Sequence, residues 1–342
     1  MSTQNIIEVE KLVKIYPGGI KAVDGIDFTV QRGEFFGFLG PNGAGKSTTM
    51  KVLSTLLKKT SGRVVVASYN VDKNPVEVKR AIGFAMQEVG LDDLVTGREF
   101  LVMPGLIYGL PRKEAQSRTR ELLEMVGLSG NAQQRVGTYS GGMRRRIDLV
   151  SAMVHNPSLL FLDEPTTGLD PQSRLSVWKY LQQLNREGVT IFLTTQMMEE
   201  ADRLCQRIAI IDNGRIVAQG APDELKSEIG EDVITIHLDS TDDVDSKAQR
   251  DRAESMVKER SYVLEVHPEE VGLSIHVRDG GAAVPDLMRL LNDNGIAVAS
   301  LSLTSPTLDD VFLKYTGHKI REEQGSRSEY EQVTRPWSRL RR

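Results

Sequence analysis

The sequence of 342 residues contains one cysteine, Cys205. A single thiol excludes an intramolecular disulfide framework and any multi-cysteine zinc site, and it suits a reducing cytoplasm. Long apolar runs are also missing: the longest stretch without Lys, Arg, Asp or Glu runs only from Asn294 to Leu308, and Asn, Gly, Ser, Thr and Pro interrupt it. A membrane-spanning helix needs about 20 mainly apolar residues, so no span is expected. The start, Met1-Ser2-Thr3-Gln4-Asn5, lacks a basic segment followed by an apolar run, and no secretory signal is expected. Neither sign of charge dominates, since 43 basic residues face 47 acidic ones for a net charge of -4. No global basic field therefore invites nucleic acid. Aromatic residues are scarce at 6%, but the 39% hydrophobic and 26% charged fractions are those of an ordinary globular chain. The length predicts two domains.

Hydropathy patterning organises the first 220 residues as an α/β domain. Residues 6–30 read as short strands and turns around Pro17-Gly18-Gly19. Glu34 to Leu39 reads as a strand, followed at once by a glycine loop and a helix over Lys46–Leu57. Helical spacing covers 97–128, Leu159–Leu162 and Val189–Leu193 read as buried parallel strands, and 172–186 reads as a helix. Asn213-Gly214 between two apolar runs predicts a hairpin over Arg207–Gln219. Composition then shifts. Asp223–Arg260 is highly charged with one clear strand at Val233–Ile236, Val271, Leu273, Ile275 and Val277 alternate as a half-buried strand, Leu287, Leu290 and Leu291 share a helix face, and Ile296–Leu303 is strand-like. These predict three parts: a domain over 1–222, a small α+β domain over 223–318, and a flexible charged tail over 319–342.

Three motifs carry chemistry. The first is Gly40-Pro41-Asn42-Gly43-Ala44-Gly45-Lys46-Ser47, followed by Thr48, set between a strand and a helix. Glycines let a backbone wrap a polyphosphate, and the N–H groups at the helix N-terminus point at its oxygens. Lys46 can reach the β- and γ-phosphates, and the Ser47 hydroxyl can ligate magnesium. The alternative is an ordinary glycine turn. The second motif is Leu159-Leu160-Phe161-Leu162-Asp163-Glu164. Asp163, at the end of a buried strand, is the metal candidate, and Glu164 could polarise an attacking water as general base. Taken alone, the same residues also read as a strand ending in two solvated acids. The third, Tyr139-Ser140-Gly141-Gly142-Met143-Arg144-Arg145-Arg146, offers an anion-binding helix start but also resembles linker chemistry. Cys205 and the histidines at 155, 237, 267, 276 and 318 show no reactive context or metal-ligand spacing.

In this order the three motifs resemble the nucleotide-binding domain of ABC transporters, over residues 6 to about 220. The resemblance implies a RecA-like core with an antiparallel β subdomain and a helical subdomain. It implies that Tyr16 stacks on adenine, that Gln87 contacts magnesium and the attacking water and leads into the segment facing the membrane partner, and that Ser140-Gly141-Gly142 binds the γ-phosphate held by a second copy. Thr167-Gly168-Leu169-Asp170 matches the loop that crosses the dimer interface, and arginines 144–146 read as a solvated or domain-contacting face. Three positions depart from the family pattern: Met143 stands for Gln, Tyr139 for Leu, and Gln196 for the switch histidine. Those departures, with Thr194-Thr195-Gln196 and the ending Ser305-Pro306-Thr307-Leu308-Asp309-Asp310-Val311-Phe312, look like the daunorubicin-resistance type of drug-export ATPase, which carries a small C-terminal domain.

The implied activity is hydrolysis of ATP with Mg2+ by an exporter subunit. The implied partners are a second ATP-binding subunit, as a homodimer, and integral membrane permease subunits, with no nucleic acid. The implied location is peripheral, on the cytoplasmic face of the membrane. Soluble ATPases of the same core that act on ribosomes or DNA are the alternative class. The single phosphate loop, and the short segment 49–139 between that loop and Ser140, favour the transporter.

Overall fold

The computed structural model describes residues 4–86, 90–238, 243–269 and 272–317. Two long antiparallel strands, β1 (Asn5–Ile15) and β2 (Lys21–Gln31), open the chain. They replace the short strands expected there, and register shifts along their pairing let each curve as one piece. Strand β3 (Phe35–Leu39) leads through the glycine loop into α1 (Lys46–Leu53), which stops earlier than its apolar pattern suggested. Thr55, at φ 63°, turns the chain out of the helix. Strands β4 (Ser61–Val66) and β5 (Tyr69–Asn70) complete a first sheet in the order β2-β1-β4-β5.

Next come α2 (Pro75–Ala81) and β6 (Ile82–Ala85). The helical stretch expected over 97–128 is two helices, α3 (Gly97–Ile107) and α4 (Arg112–Met125), parted where Gly109 takes φ 90° ahead of Pro111. Helix α5 (Gly141–Ser151) precedes β7 (Leu159–Asp163), α6 (Pro171–Arg186), β8 (Thr190–Thr195) and α7 (Met198–Leu204). The predicted hairpin is β9 (Arg207–Asp212) and β10 (Arg215–Gly220), turned by Asn213 at φ 46° and Gly214 at φ 78°.

The second sheet, β10-β9-β3-β8-β7-β6, is parallel except for β10. Its central strands are buried on both faces, which is why they read as unbroken apolar runs. The strand period of two divides their side chains. Phe36 and Phe38 of β3, Phe161 of β7 and Phe192 of β8 meet Phe28 and the first sheet on one side. Phe35, Leu160, Leu162 and Leu193 face the helices on the other.

A third, antiparallel sheet follows α8 (Pro222–Ser227). It comprises β11 (Asp232–Leu238), β12 (Val263–Glu269), β13 (Gly272–Val277) and β14 (Val298–Thr304), in the order β12-β13-β11-β14. Leu273, Ile275 and Val277 of β13 are fully buried there, while Val271 lies outside the described residues. Two helices, α9 (Asp243–Lys258) and α10 (Gly280–Asp293), cover the layer. Neither α9 nor β12 was anticipated; among the described side chains of α9, 249–258, only Ala253 and Val257 are fully buried, too narrow a stripe to mark a helix. Helix α11 (Leu308–Thr316) leaves this layer. Its Leu308, Val311 and Phe312 join the core of the first domain beside Met198, Leu204 and Leu225, while Lys314 Nζ and the Tyr315 hydroxyl donate to Glu228 at 2.6 and 2.7 Å. His318 and the tail over 319–342 lie outside the described residues. Among the described residues no helix is long and apolar enough to cross a membrane.

Candidate active site

Strand register brings the motifs together. Leu39 pairs with Thr195 and Asp163 pairs with Thr194, so β3, β7 and β8 end at one level. The residues that follow those ends, Gly40, Glu164 and Gln196, therefore emerge along the carboxyl edge of a parallel sheet, where open α/β folds place ligands. The Gly40 N–H donates to the Thr195 carbonyl at 3.3 Å, which fastens the loop to the residue before Gln196.

Two glycines of the loop are required by their surroundings. Gly45 caps α1 at φ 110°, and a Cβ there would lie 2.4 Å from the Ala22 carbonyl oxygen. A Cβ on Gly40 would lie 2.3 Å from the Ile211 carbonyl oxygen. Lys46 is 4% exposed, and its ammonium donates to the Gly40 and Pro41 carbonyls at 2.7 and 3.0 Å. It lies 3.5 Å from Glu164 Oε1. Burial holds its pKa below the ordinary lysine value, and the negative Glu164 opposes that shift.

The Ser47 hydroxyl donates to Asp163 Oδ1 at 3.2 Å, and Thr194 Oγ1 donates to the same oxygen. Asp163 and Glu164 are 7% and 5% exposed, so neither is a solvated end-of-strand acid. A serine hydroxyl beside a carboxylate is a pair of hard oxygen donors, which fits Mg2+, an ion that takes few protein ligands and completes its shell with phosphate and water. Glu164 has φ 46°, a left-handed conformation costing a non-glycine residue about 1–2 kcal/mol. Its N–H donates to the Thr194 carbonyl at 3.0 Å, and Thr167 Oγ1 donates to its Oε2 at 3.3 Å. The carboxylate is thus held between the phosphate loop and Thr167-Gly168-Leu169-Asp170, whose Asp170 caps α6.

Other expected residues fall into place unequally. The Tyr16 hydroxyl is 3.3 Å from Thr48 Oγ1, at the helix opened by the phosphate loop. Half-buried Gln196 follows β8 as expected. Ser140, Gly141 and Gly142 are not part of this cluster: they open α5, with Ser140 and Gly141 exposed and Gly142 against Ser173 of α6. Gln87 lies outside the described residues. Tyr139 has a structural reason for its departure from the pattern, since its buried phenol donates to the Asn131 carbonyl at 2.8 Å.

One reading of the arginines needs correction. Arg144 is partly exposed and pairs with Asp93 at 2.7 Å, but Arg145 is 4% exposed and belongs to no solvated face. It is bound to Asp148 at 3.0 Å and to backbone carbonyls around Glu164. Burial pushes the Asp148 carboxyl up to about 6 against the pull of Arg145. The helical stride Gly142, Arg145, Leu149 already put this side chain on the buried face of α5. A second missed residue is Glu200 of α7, 1% exposed, which accepts from Thr166 Oγ1 at 2.7 Å and Trp178 Nε1 at 2.9 Å. Burial raises its pKa, and those donors oppose the rise. Its signal was the spacing of Glu200, Ala201 and Leu204 on one side of α7.

Comparison with known proteins decides the family. Residues 23–167 match the ABC transporter model, and residues 220–316 match the C-terminal domain of the ATP-binding protein DrrA1-3-like family. The daunorubicin resistance ATP-binding protein DrrA2 of Streptomyces coeruleorubidus is 42% identical over 317 residues, covering 92% of this chain and 95% of that protein. The chain belongs to the ABC transporter ATP-binding subunits of the daunorubicin-resistance type. The linearmycin resistance ATP-binding protein LnrL of Bacillus subtilis is 38% identical, covering 93% of this chain and all of that protein. A dimeric ATP-binding cassette solved in a post-hydrolysis state with ADP and phosphate superposes with a TM-score of 0.58 at 26% identity, covering 63% of this chain and 98% of that one. As a member of this family the chain is the ATP-hydrolysing subunit of an exporter.

Proposed function

We propose that two copies of this ABC subunit close head-to-tail over two ATP molecules and drive a separate permease that exports a drug, antibiotic or other hydrophobic compound. The observation that carries the reading is the convergence of Lys46, Ser47, Asp163 and Glu164 where β3, β7 and β8 end. The loop from Gly40 to Thr48 wraps the phosphates, Lys46 contacts the β- and γ-phosphates, and Tyr16 stacks on adenine. Ser140, Gly141 and Gly142 meet the γ-phosphate held by the other copy. Ser47, Asp163 and Gln87 would hold Mg2+, and the ion would supply positive charge to the bound phosphates. Gln87 also orients the attacking water. Glu164 takes a proton from that water as its oxygen bonds to the γ-phosphorus and the bond to the β-phosphate oxygen breaks, releasing ADP and phosphate.

The export reading draws on relatives named for resistance to daunorubicin and linearmycin. The subunit is peripheral, held on the cytoplasmic side by its permease. Residues 1–222 form the cassette and 223–318 a regulatory or dimer-stabilising domain, whose α11 packs back on the cassette core. Purification of the full chain from detergent-solubilised membranes tests the partner. An integral membrane protein should elute with it and stimulate its ATPase activity; elution with ribosomes or DNA instead would favour the alternative class.

Gln196 supplies a prediction of its own. An amide donates and accepts but cannot titrate, whereas histidine changes charge near pH 6.5. We expect its N–H2 group to bond the γ-phosphate. Gln196→Ala should slow turnover by the equivalent of about 0.5–3 kcal/mol, and Gln196→His should stay active with a new pH dependence near neutrality. Unchanged ATPase and transport rates in Gln196→Ala would remove the residue from the site.

A further inference from the structure

Arg145 lies on α5, the helix opened by Ser140, yet its guanidinium reaches the other end of the reaction centre. Nε donates to the Pro165 carbonyl at 2.6 Å and Nη2 to the Asp163 carbonyl at 3.4 Å. Those two carbonyls flank Glu164 on either side. Nη1 donates to the Met86 carbonyl at 2.6 Å, immediately before Gln87, and to Asp148 Oδ2 at 3.0 Å. Glu164 is the point in this neighbourhood that needs holding, because its backbone is left-handed without being glycine. Its own N–H is fixed by Thr194, and the carbonyls before and after it are fixed by Arg145.

We propose that Arg145 is a positioning residue for hydrolysis: it holds the carbonyls of the residues before and after Glu164, fixes the direction of that carboxylate, and ties it to the segment leading into Gln87. Only a planar fork with several donors can serve three carbonyls and a carboxylate together; a lysine ammonium presents its donors from a single nitrogen. The clasp also links the helix carrying Ser140, which reads ATP on the opposite copy, to the base acting on its own ATP. The inference rests on the reading of Glu164 as general base.

The test uses the full-length chain with Arg145→Lys, which keeps the charge facing Asp148, and Arg145→Gln as a second variant. ATP affinity and the single-turnover hydrolysis rate are measured for each, alone and combined with Glu164→Gln. Displacing a reacting group by about 1 Å costs on the order of a hundredfold, so hydrolysis should slow by roughly ten- to a hundredfold. ATP affinity should stay within about twofold. Combined with Glu164→Gln, either variant should add less than about a twofold further loss, because no base remains to be misplaced. Wild-type hydrolysis in Arg145→Lys, losses that multiply in the double variants, or a parallel fall of affinity and rate would each overturn the proposal. Near-normal turnover of Glu164→Gln alone would overturn the reading of Glu164 and this inference with it. A block in Glu164→Gln beside an undisturbed Arg145→Lys overturns this inference only.

Discussion

Glu164→Gln is expected to stop hydrolysis while sparing ATP binding, so that an ATP-bound closed dimer accumulates. Glutamine keeps the volume and the acceptor facing Thr167 Oγ1 at 3.3 Å, so the left-handed loop has no new steric reason to move. What it loses is the ability to take a proton from water, a contribution of about 10²–10⁴-fold in rate. The substitution also removes the negative partner 3.5 Å from Lys46. Lys46 retains its Gly40 and Pro41 carbonyls, and with ATP bound it is expected to face phosphate. Turnover measured with saturating MgATP, beside sizing in ATP and in ADP, checks both halves. Near-normal turnover would remove Glu164 as the base.

Lys46→Ala should be the more damaging substitution, because it touches binding as well as chemistry. Hydrogen bonds to charged groups contribute about 1.5–3 kcal/mol each, so loss of the ammonium should weaken ATP binding by at least roughly tenfold and take turnover below detection. The variant also removes the positive charge 3.5 Å from the Glu164 carboxylate, so a change in the stability of the folded domain without nucleotide is measured beside the binding loss. Lys46→Arg should not rescue activity, since the wild-type side chain is 4% exposed and held between two carbonyls at 2.7 and 3.0 Å. Equilibrium ATP binding and denaturant unfolding, measured on the same preparations, separate the two effects. Unaltered ATP affinity in Lys46→Ala would contradict its place on the phosphates.

The parts legible in the sequence are those whose chemistry is local. The loop from Gly40 to Gly45 could be placed between a strand and a helix because its glycines cluster within six residues and the helix follows at once. Asp163 could be read because a strand buried on both faces shows as an apolar run with the acid at its end. The parts that escaped depend on residues far apart in the chain. Arg145 read as one of three cations on a solvated or domain-contacting face until Met86, Asp163 and Pro165 supplied its acceptors. Glu200 looked like an ordinary helix acid, yet it sits under Thr166 and Trp178. Helix α9 was hidden by its charge, and the return of α11 to the first domain was hidden because amphipathicity says that a face is buried but not against what.

The central claim is that each site is shared, the phosphate loop coming from one copy and Ser140-Gly141-Gly142 from the other. Disulfide trapping between Asn42→Cys and Ser140→Cys, both at exposed positions, tests it most directly; native Cys205 is buried, which keeps the background low. With the Glu164→Gln substitution added, MgATP should produce a covalent dimer through this pair, and ADP or nucleotide-free conditions should leave it largely monomeric. A chain that binds ATP yet forms no such dimer, or forms it equally without nucleotide, would contradict the shared site.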